Sequence, residues 1–338
     1  MRVLVTGGAG FIGSHLTEAL LARGDRVTVL DNLSTGRIEN LEPVRTHPAL
    51  RLLTGDVRDR ARLEDALAGI ETVFHLAAHV GVRRIMDRTV ESLLNNVQGS
   101  MEVLEQATRA RLRTVLFSSS EVYGKRNGEP LDEGDDLAIG APSISRWSYA
   151  TGKAVDESLA LAYHTERALP VTVVRCFNTC GPRQTDRYGM VLPTFVRQAL
   201  SGTPLTVHGD GRQSRCFSAV SDVVRGALLL ADAPAAVGEI FNVGSDREVT
   251  ILELAQRVVR LAQSRSAIAT IPYDQVFGEG FEDVRRRVPS LAKIRAFVGY
   301  EPRVTLEELL AATIESFRST ESAATAPPVP GPARSPRG

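Results

Sequence analysis

A chain of 338 residues, against roughly 100–200 residues per domain, implies two domains or one large domain with a smaller lobe. Forty basic residues balance forty acidic ones, so the basic excess of a nucleic-acid binder is missing, and no apolar run reaches the roughly 18 residues of a membrane span. Cys176, Cys180 and Cys216 form no disulfide framework and lack the His or Cys partners of a metal site, so the expected compartment is the reducing cytoplasm. In chain order, residues 2–6 (RVLVT) read as a first strand rather than a leader, and 11–23 as a helix stopped by Gly24-Asp25. Strands follow at 26–30, ending at Asp31, and at Leu52-Leu53 before Gly55-Asp56. A helix over 58–68 leads to a strand at 72–76. A long helix over 90–111 precedes strand 114–118, and a helix over 147–167 precedes strand 171–175. Five-residue strands alternating with helices predict an α/β fold, a Rossmann-type doubly wound parallel sheet.

Past residue 178 the pattern loosens. A helix over 191–201, short strands near 205–208 and 214–218, a helix over 220–232, a strand at 239–242 and helices near 250–264 and 305–317 predict a smaller α+β lobe. The expected division is 1–178 for the dinucleotide domain, with some later segments returning to it, and 179–318 for the lobe. From Ser319 the chain holds five prolines and no aromatic residue, the composition of a disordered tail over 319–338.

The loop Gly7-Gly8-Ala9-Gly10-Phe11-Ile12-Gly13 sits between the first strand and first helix. Missing side chains let the backbone approach a pyrophosphate, and a helix N-terminus supplies free N–H groups and a positive dipole end. Asp31, 18 residues past Gly13, has the spacing of a carboxylate on an adenosine ribose. It would repel a 2′-phosphate, so the expected cofactor is NAD rather than NADP.

Tyr149 and Lys153 stand at i and i+4 on a predicted helix, which puts both on one face. A free phenol is a poor base near neutrality. An ammonium beside it, and an oxidised nicotinamide nearby, favour the phenolate. Only three of the forty basic residues are lysines, Lys125, Lys153 and Lys293. Lys153 has a reason to be one, because a slim ammonium fits between ribose hydroxyls where a guanidinium does not.

With these motifs the chain resembles the extended short-chain dehydrogenase/reductase family of nucleotide-sugar epimerases, dehydratases and decarboxylases, from residue 1 to about 317. TGGAGFIG (6–13) is similar to the family's cofactor loop, so that Gly7, Gly10, Phe11, Ile12 and Gly13 contact the cofactor. DNLSTG (31–36) is similar to its adenosine-ribose segment, with Asp31, Asn32, Ser34 and Gly36. Asp56 and Val57 fall at its adenine contact, Leu76, Ala77 and Ala78 at the loop passing the cofactor, and Asn96 at its structural helix asparagine. Ser119, Tyr149 and Lys153 match the catalytic triad. Asn178 and Arg183, in RCFNTCGPR, and Arg215, in GDGRQSRCFSAVSDV, match substrate contacts, Arg215 at the diphosphate position. Cys176 is expected to pack rather than react. The resemblance also implies a homodimer through a four-helix bundle of the 90–111 and 147–167 helices, using Leu93, Leu94, Val97, Met101, Val103 and Leu104 with Ala154, Leu159, Ala160 and Leu161.

The shared first step of such enzymes is oxidation at C4 of the sugar. The Thr-Asp-Glu of a 4,6-dehydratase is Ser119-Ser120-Glu121 here, so the Asp that would protonate the leaving oxygen is missing. Ser-Glu before Val-Tyr-Gly, and Arg285-Arg286-Arg287-Val288-Pro289-Ser290, are similar to the UDP-glucuronate decarboxylases. Oxidation at C4 of UDP-glucuronate makes a β-keto acid whose carbonyl accepts the electrons released with CO2. Glu121 is then a general acid or a source of repulsion for the substrate carboxylate, and Arg287 positions the carboxylate or the diphosphate. His79-Val80-Gly81-Val82-Arg83-Arg84-Ile85 is closer to epimerases, with Arg83 and Arg84 as carboxylate ligands in either case. A UDP-sugar 4-epimerase, and more remotely a non-catalytic NAD(H)-binding protein, are the competing readings.

Overall fold

The structure is a computed structural model that describes residues 1–126, 128–186, 189–277 and 283–325, the side chains of 82–84, 277 and 320–325 excepted. The first half alternates strands and helices: β1 (Arg2–Thr6), α1 (Phe11–Ala22), β2 (Arg26–Asp31), β3 (Leu50–Thr54), α2 (Arg60–Leu67), β4 (Thr72–His75), α3 (Val82–Asp87), α4 (Thr89–Arg109), β5 (Arg113–Ser119), α5 (Ser148–Arg167) and β6 (Val171–Cys176). The second half follows with β7 (Thr179–Cys180), α6 (Val191–Ser201), β8 (Leu205–His208), β9 (Ser214–Cys216), β10 (Ser218–Ala219), α7 (Val220–Asp232), β11 (Ile240–Val243), β12 (Glu248–Thr250), α8 (Ile251–Leu261), β13 (Ile268–Ile271), α9 (Tyr273–Phe277), β14 (Arg286–Arg287), α10 (Ala292–Val298) and α11 (Leu306–Thr325).

Seven parallel strands form one sheet in the order β11-β6-β5-β4-β1-β2-β3. This is the doubly wound Rossmann order extended by β11, as the alternation of elements predicts. Both faces are covered, so the strands read as nearly continuous apolar runs. Their side chains still alternate. Val3 and Val5 join α1, α7 and α10 on one face, while Leu4 and Leu116 join α2, α4 and α5 on the other. The chain order reverses between β1 and β4, and the crevice at the carboxyl ends of those strands is where such sheets bind ligands.

Residues 220–243 and 291–300 come back to this sheet. Helix α7 packs on α1, β11 extends the sheet beyond β6, and α10 covers β11. The smaller lobe has its own core, built from Leu192, Phe195 and Val196 of α6, Val207 of β8, Leu254 and Val258 of α8, and Leu310 of α11. Thr250 and Glu253 close the start of α8 as a reciprocal capping box. Two expectations shift. Ser214–Ala219 is two strands rather than one, and α11 runs to Thr325, seven residues into the expected tail. That stretch is made of Ser, Thr and Ala with one Glu and meets its first proline only at Pro327, so nothing local stops the helix earlier. Residues 326–338 lie outside the described residues. Among the described residues no helix is long and apolar enough to cross a membrane.

Helix α5 is tied to the sheet by a buried ion pair. Arg175 of β6 donates twice to Glu157 (Nε to Oε1 at 3.0 Å, Nη2 to Oε2 at 2.7 Å), and both side chains are almost fully enclosed. Removing one partner leaves the other charge buried and unpaired, which costs about 3–5 kcal/mol. Glu157→Ala is therefore expected to lower the unfolding free energy by about that amount. A urea midpoint indistinguishable from the parent protein would contradict it.

Candidate active site

The crevice opens between the ends of β1, β2, β4 and β5, and α1 points into it. Its wall includes Gly7, Gly10, Phe11, Ile12, Gly13, Asp31, Asn32, Ser34, Asp56, Val57, Leu76, Ala77, Ala78, Ser119, Glu121, Tyr149, Lys153, Asn178 and Arg287. Residues scattered over 280 positions of sequence thus share one cavity.

The glycine loop is shaped by close approaches. Gly7 has φ of +72°, and a Cβ there would meet the Ala77 backbone nitrogen at 2.8 Å. A Cβ on Gly13 would lie 2.2 Å from the Gly7 carbonyl oxygen. Helix α1 begins at Gly10 with no side-chain cap, so its first N–H groups face the cavity as an anion site. Asp31 accepts from Ala9 N at 2.9 Å and Leu33 N at 2.8 Å. Burial nevertheless raises its carboxyl above the ordinary value. Gly36 does not face the cavity; a Cβ there would sit 2.8 Å from the Asp31 carboxylate oxygens, so it makes room for that carboxylate. Asp56 is held by Arg58 (Nη2 at 2.7 Å) and Asn32 (Nδ2 at 3.0 Å), and Arg58 keeps its carboxyl well below the usual range. Asn96 pins the loop after β4 through both backbone groups of His79, accepting from N at 2.7 Å and donating to O at 3.0 Å. These residues fit a dinucleotide: a cradle with no room for side chains, uncapped helix N–H groups, and carboxylates at the ends of β2 and β3.

The chemistry-bearing end lies where β5 meets α5. Lys153 is buried and donates to the Phe117 carbonyl at 3.0 Å and to Asp156 Oδ2 at 3.1 Å. Tyr149 sits one turn earlier, partly open to the cavity. Its phenol is raised, not lowered. Burial dominates, and Lys153 and the Ser119 hydroxyl pull it down only in part. Without a cationic cofactor ring, one ammonium does not offset the desolvation of a phenolate. Cys176 lines the floor with its thiol pushed up to about 12 by burial, consistent with a packing role.

Glu121 is clamped between two guanidiniums. Arg287 Nη1 donates to its Oε1 at 2.5 Å and Arg146 Nη1 to its Oε2 at 3.0 Å. Burial alone would raise its carboxyl, but the Arg287 and Arg146 guanidiniums outweigh that and hold it far below the usual range. A carboxyl so clamped is an anion at neutral pH and has no proton to give. Of the two roles expected for Glu121, this geometry favours the electrostatic one over the general acid.

Arg146 was missed from the sequence. It stands three residues before Tyr149, in the short 3-10 turn Ser145–Trp147 that leads into α5, and its guanidinium stacks over Trp147. An i,i+3 spacing to Tyr149 along a helical run was the available signal. Arg146 also reaches Asp283 at 3.3 Å, and Asp283 holds Arg215 at 3.0 Å and accepts from the Tyr273 hydroxyl at 2.7 Å. Three guanidiniums, of Arg146, Arg215 and Arg287, thus face two carboxylates, of Glu121 and Asp283, among the described residues. Arg287 Nη2 is buried with no hydrogen-bond partner.

Other expected substrate ligands are placed differently. Arg183 turns away to α1, donating to Glu18 at 2.6 Å and to the Ser14 hydroxyl at 3.2 Å, because α1 offers a carboxylate next to the loop. Arg215 lies behind the cavity wall, bonded to Ser214 O and Asp283. The Asn178 amide nitrogen is taken by Cys216 O at 2.9 Å, although Asn178 still lines the cavity. Arg83 and Arg84 fall in α3, but their side chains lie outside the described residues.

Residues 3–244 match the sequence profile of the NAD dependent epimerase/dehydratase family. The chain is 40% identical over 322 residues to a UDP-N-acetyl-alpha-D-glucosaminuronate decarboxylase of Bacillus cytotoxicus, spanning 95% of this chain and 99% of that one. It is 38% identical over 332 residues to UDP-glucuronic acid decarboxylase 1 of Danio rerio, spanning 98% and 76%. Among solved structures it resembles the UDP-glucuronic acid 4-epimerase of Bacillus cereus in complex with UDP-glucuronic acid and NAD, with TM-score 0.85 and 26% identity over 95% of this chain and 100% of that one. It also resembles the dTDP-glucose 4,6-dehydratase DesIV of Streptomyces venezuelae with NAD bound, with TM-score 0.86 and 34% identity over 96% and 98%.

Proposed function

The chain belongs to the NAD dependent epimerase/dehydratase family, and from that premise we propose that it is an NAD-dependent decarboxylase of UDP-glucuronate. The observation that carries this reading is the charge lattice at the end of the crevice. Within it a buried Arg287 nitrogen has no hydrogen-bond partner and lies beside Tyr149's cavity. An anionic sugar completes it, and a neutral hexose does not. The decarboxylase relatives support the same chemistry.

In this reading the glycine loop, Asp31, Asp56 and the 76–78 loop hold NAD, and Lys153 reaches its ribose. When bound, NAD supplies the two-electron oxidation at C4 of the sugar. Tyr149 takes the proton from the C4 hydroxyl, assisted by Lys153 and with Ser119 aligning the oxygen. The product is a 4-ketone, β to the carboxylate on C5. Arg287 receives that carboxylate through its free nitrogen. The C5–carboxylate bond then breaks, its electron pair moves into the C4 carbonyl, CO2 leaves, and C5 takes a proton. Glu121 stays ionised between Arg287 and Arg146. It fixes the guanidinium and disfavours the bound carboxylate over the neutral CO2 that replaces it.

Two further parts of the reading concern substrate and assembly. The Bacillus cytotoxicus relative is named for a 2-acetamido uronate, so UDP-N-acetylglucosaminuronate belongs in the same assay. A 4-epimerase is the competing reading, favoured by the likeness to the Bacillus cereus structure. For assembly, Val90, Leu94 and Met101 of α4 and Val155 of α5 are exposed. A shallow apolar groove along α5 runs past Ala154, Val155 and Leu159. A second copy covers this face in a two-fold four-helix bundle. Val103, Leu104 and Ala160 are not part of it, since they are fully buried against the sheet.

Tyr149→Phe is expected to slow NADH formation from UDP-glucuronate by roughly 10²–10⁴-fold, the usual range for a positioned acid or base, with nucleotide binding retained; near-parental turnover would remove Tyr149 from the mechanism. Incubation with UDP-glucuronate should release CO2, and mass spectrometry of the products reads whether the 4-ketopentose is reduced again. In Glu121→Gln, single-turnover CO2 release should fall further than NADH formation. Interconversion of C4 epimers with no CO2 from either uronate would replace the decarboxylase by the epimerase. Light scattering should give twice the 36.6 kDa chain mass, and a monomer at micromolar concentration rejects the dimer.

A further inference from the structure

Lys153 is held by more than its place on the helix. An ammonium has three N–H donors. Two are taken by the Phe117 carbonyl and Asp156 Oδ2, and the lysine itself forms part of the cavity wall. Asp156 lies one turn further along α5, with no exposed surface at all. A carboxylate so deeply buried is strongly disfavoured unless it has a charged partner. Its Oδ1 has no hydrogen-bond partner, so most of its reason to be ionised is Lys153.

Behind Asp156 stands a chain of polar groups that crosses three elements. Ala77 N donates to Thr6 Oγ1 at 3.4 Å, Thr6 Oγ1 lies 2.7 Å from His75 Nδ1, and His75 Nε2 lies 3.2 Å from Ser100 Oγ. Burial, with Lys153 adding to it, lowers His75 to about 3, so the imidazole is neutral and has one N–H. If Thr6 donates to Nδ1, the proton sits on Nε2 and points to Ser100, a tautomer assigned from this order of donors. Burial raises the Asp156 carboxyl, and Lys153 first, then Ser100, act against it. In that order of donors the dipoles from Ala77 to His75 point toward Ser100, and the chain begins in the 76–78 loop of the dinucleotide cleft.

We propose that Asp156 is a positioning residue for Lys153: it supplies the buried counter-charge that fixes the ammonium beneath Tyr149, and the Ser100–His75–Thr6 chain braces it from behind. The inference rests on the reading of Tyr149 and Lys153 as the pair that removes the C4 proton. The other titratable groups facing Lys153 are Tyr149 and Glu157 on α5, His75 from β4 and Cys176 from β6. Glu157 is committed to Arg175, and His75 is neutral. Burial acts to lower the ammonium's proton affinity, and Asp156 is the largest influence that raises it. The charged lysine therefore persists to high pH with Asp156 present and is lost at lower pH without its charge.

The test is Asp156→Asn, which keeps a hydrogen-bond acceptor and removes the charge. NADH formation is followed in single turnovers with NAD and UDP-glucuronate across pH. The alkaline limb of the rate profile should move toward acid by about one pH unit or more, as expected for an ammonium left buried without its counter-ion, while the KM for the nucleotide sugar changes little. An unmoved limb overturns the proposal, whatever happens to the plateau rate. If Asp156→Asn does not fold, Ser100→Ala decides. A smaller displacement in the same direction supports the proposal, and an unmoved limb overturns it. Failure of the underlying reading looks different, because Tyr149→Phe would then form NADH at the parental rate in the same assay.

Discussion

Everything at the active site depends on how α5 is fastened to the sheet. Three charged side chains on one helix, Lys153, Asp156 and Glu157, are buried against β5 and β6. Each is matched, Lys153 to Asp156 and the Phe117 carbonyl, and Glu157 to Arg175. Surface pairs such as Arg51 with Asp65 are worth between about 0 and 1 kcal/mol. Breaking a buried pair costs about 3–5 kcal/mol, so α5 has one register on the sheet and not several. That register presents Tyr149 to the crevice, leads Arg146 to Glu121, and leaves the outer face of the helix with Val155 exposed.

The two halves of the crevice solve different electrostatic problems. At the glycine loop the positive potential comes from backbone N–H groups and a helix dipole, so side chains are in the way and glycine is required. At the far end it comes from guanidiniums on three separate segments, which cannot share a space unless carboxylates sit between them. Glu121 and Asp283 play that part. The Arg287 and Arg146 guanidiniums outweigh burial and hold the Glu121 carboxyl far below its usual range, and Arg287 Nη2 is left buried without a hydrogen-bond partner. The same physics explains why Tyr149 is raised by its surroundings: the site is arranged for charge that arrives with its ligands.

Much of this was legible in the residues. Short apolar strands alternating with helices, a glycine loop between the first pair, and an acid at the end of the second strand carry local signals, and local signals survive in sequence. Helices α6 and α7 and strand β8 fall on the residues that periodicity assigns to them. The Tyr149/Lys153 pair was readable for the same reason, since i and i+4 on a helix are neighbours in any fold. What the residues did not show were long-range partners. Arg183 found Glu18 across the α1 groove, Arg215 was drawn behind the cavity by Asp283, and Arg146 went unnoticed although it touches Glu121.

The sequence by itself therefore determined the sheet, the glycine loop and the Tyr149/Lys153 pairing, because each is encoded by spacings of a few residues. Only the tertiary structure decided the guanidiniums that surround Glu121 and the return of β11 to the main sheet. These depend on groups brought together from segments up to 166 positions apart. The energy of a charge is set by what surrounds it in space and not by its neighbours along the chain.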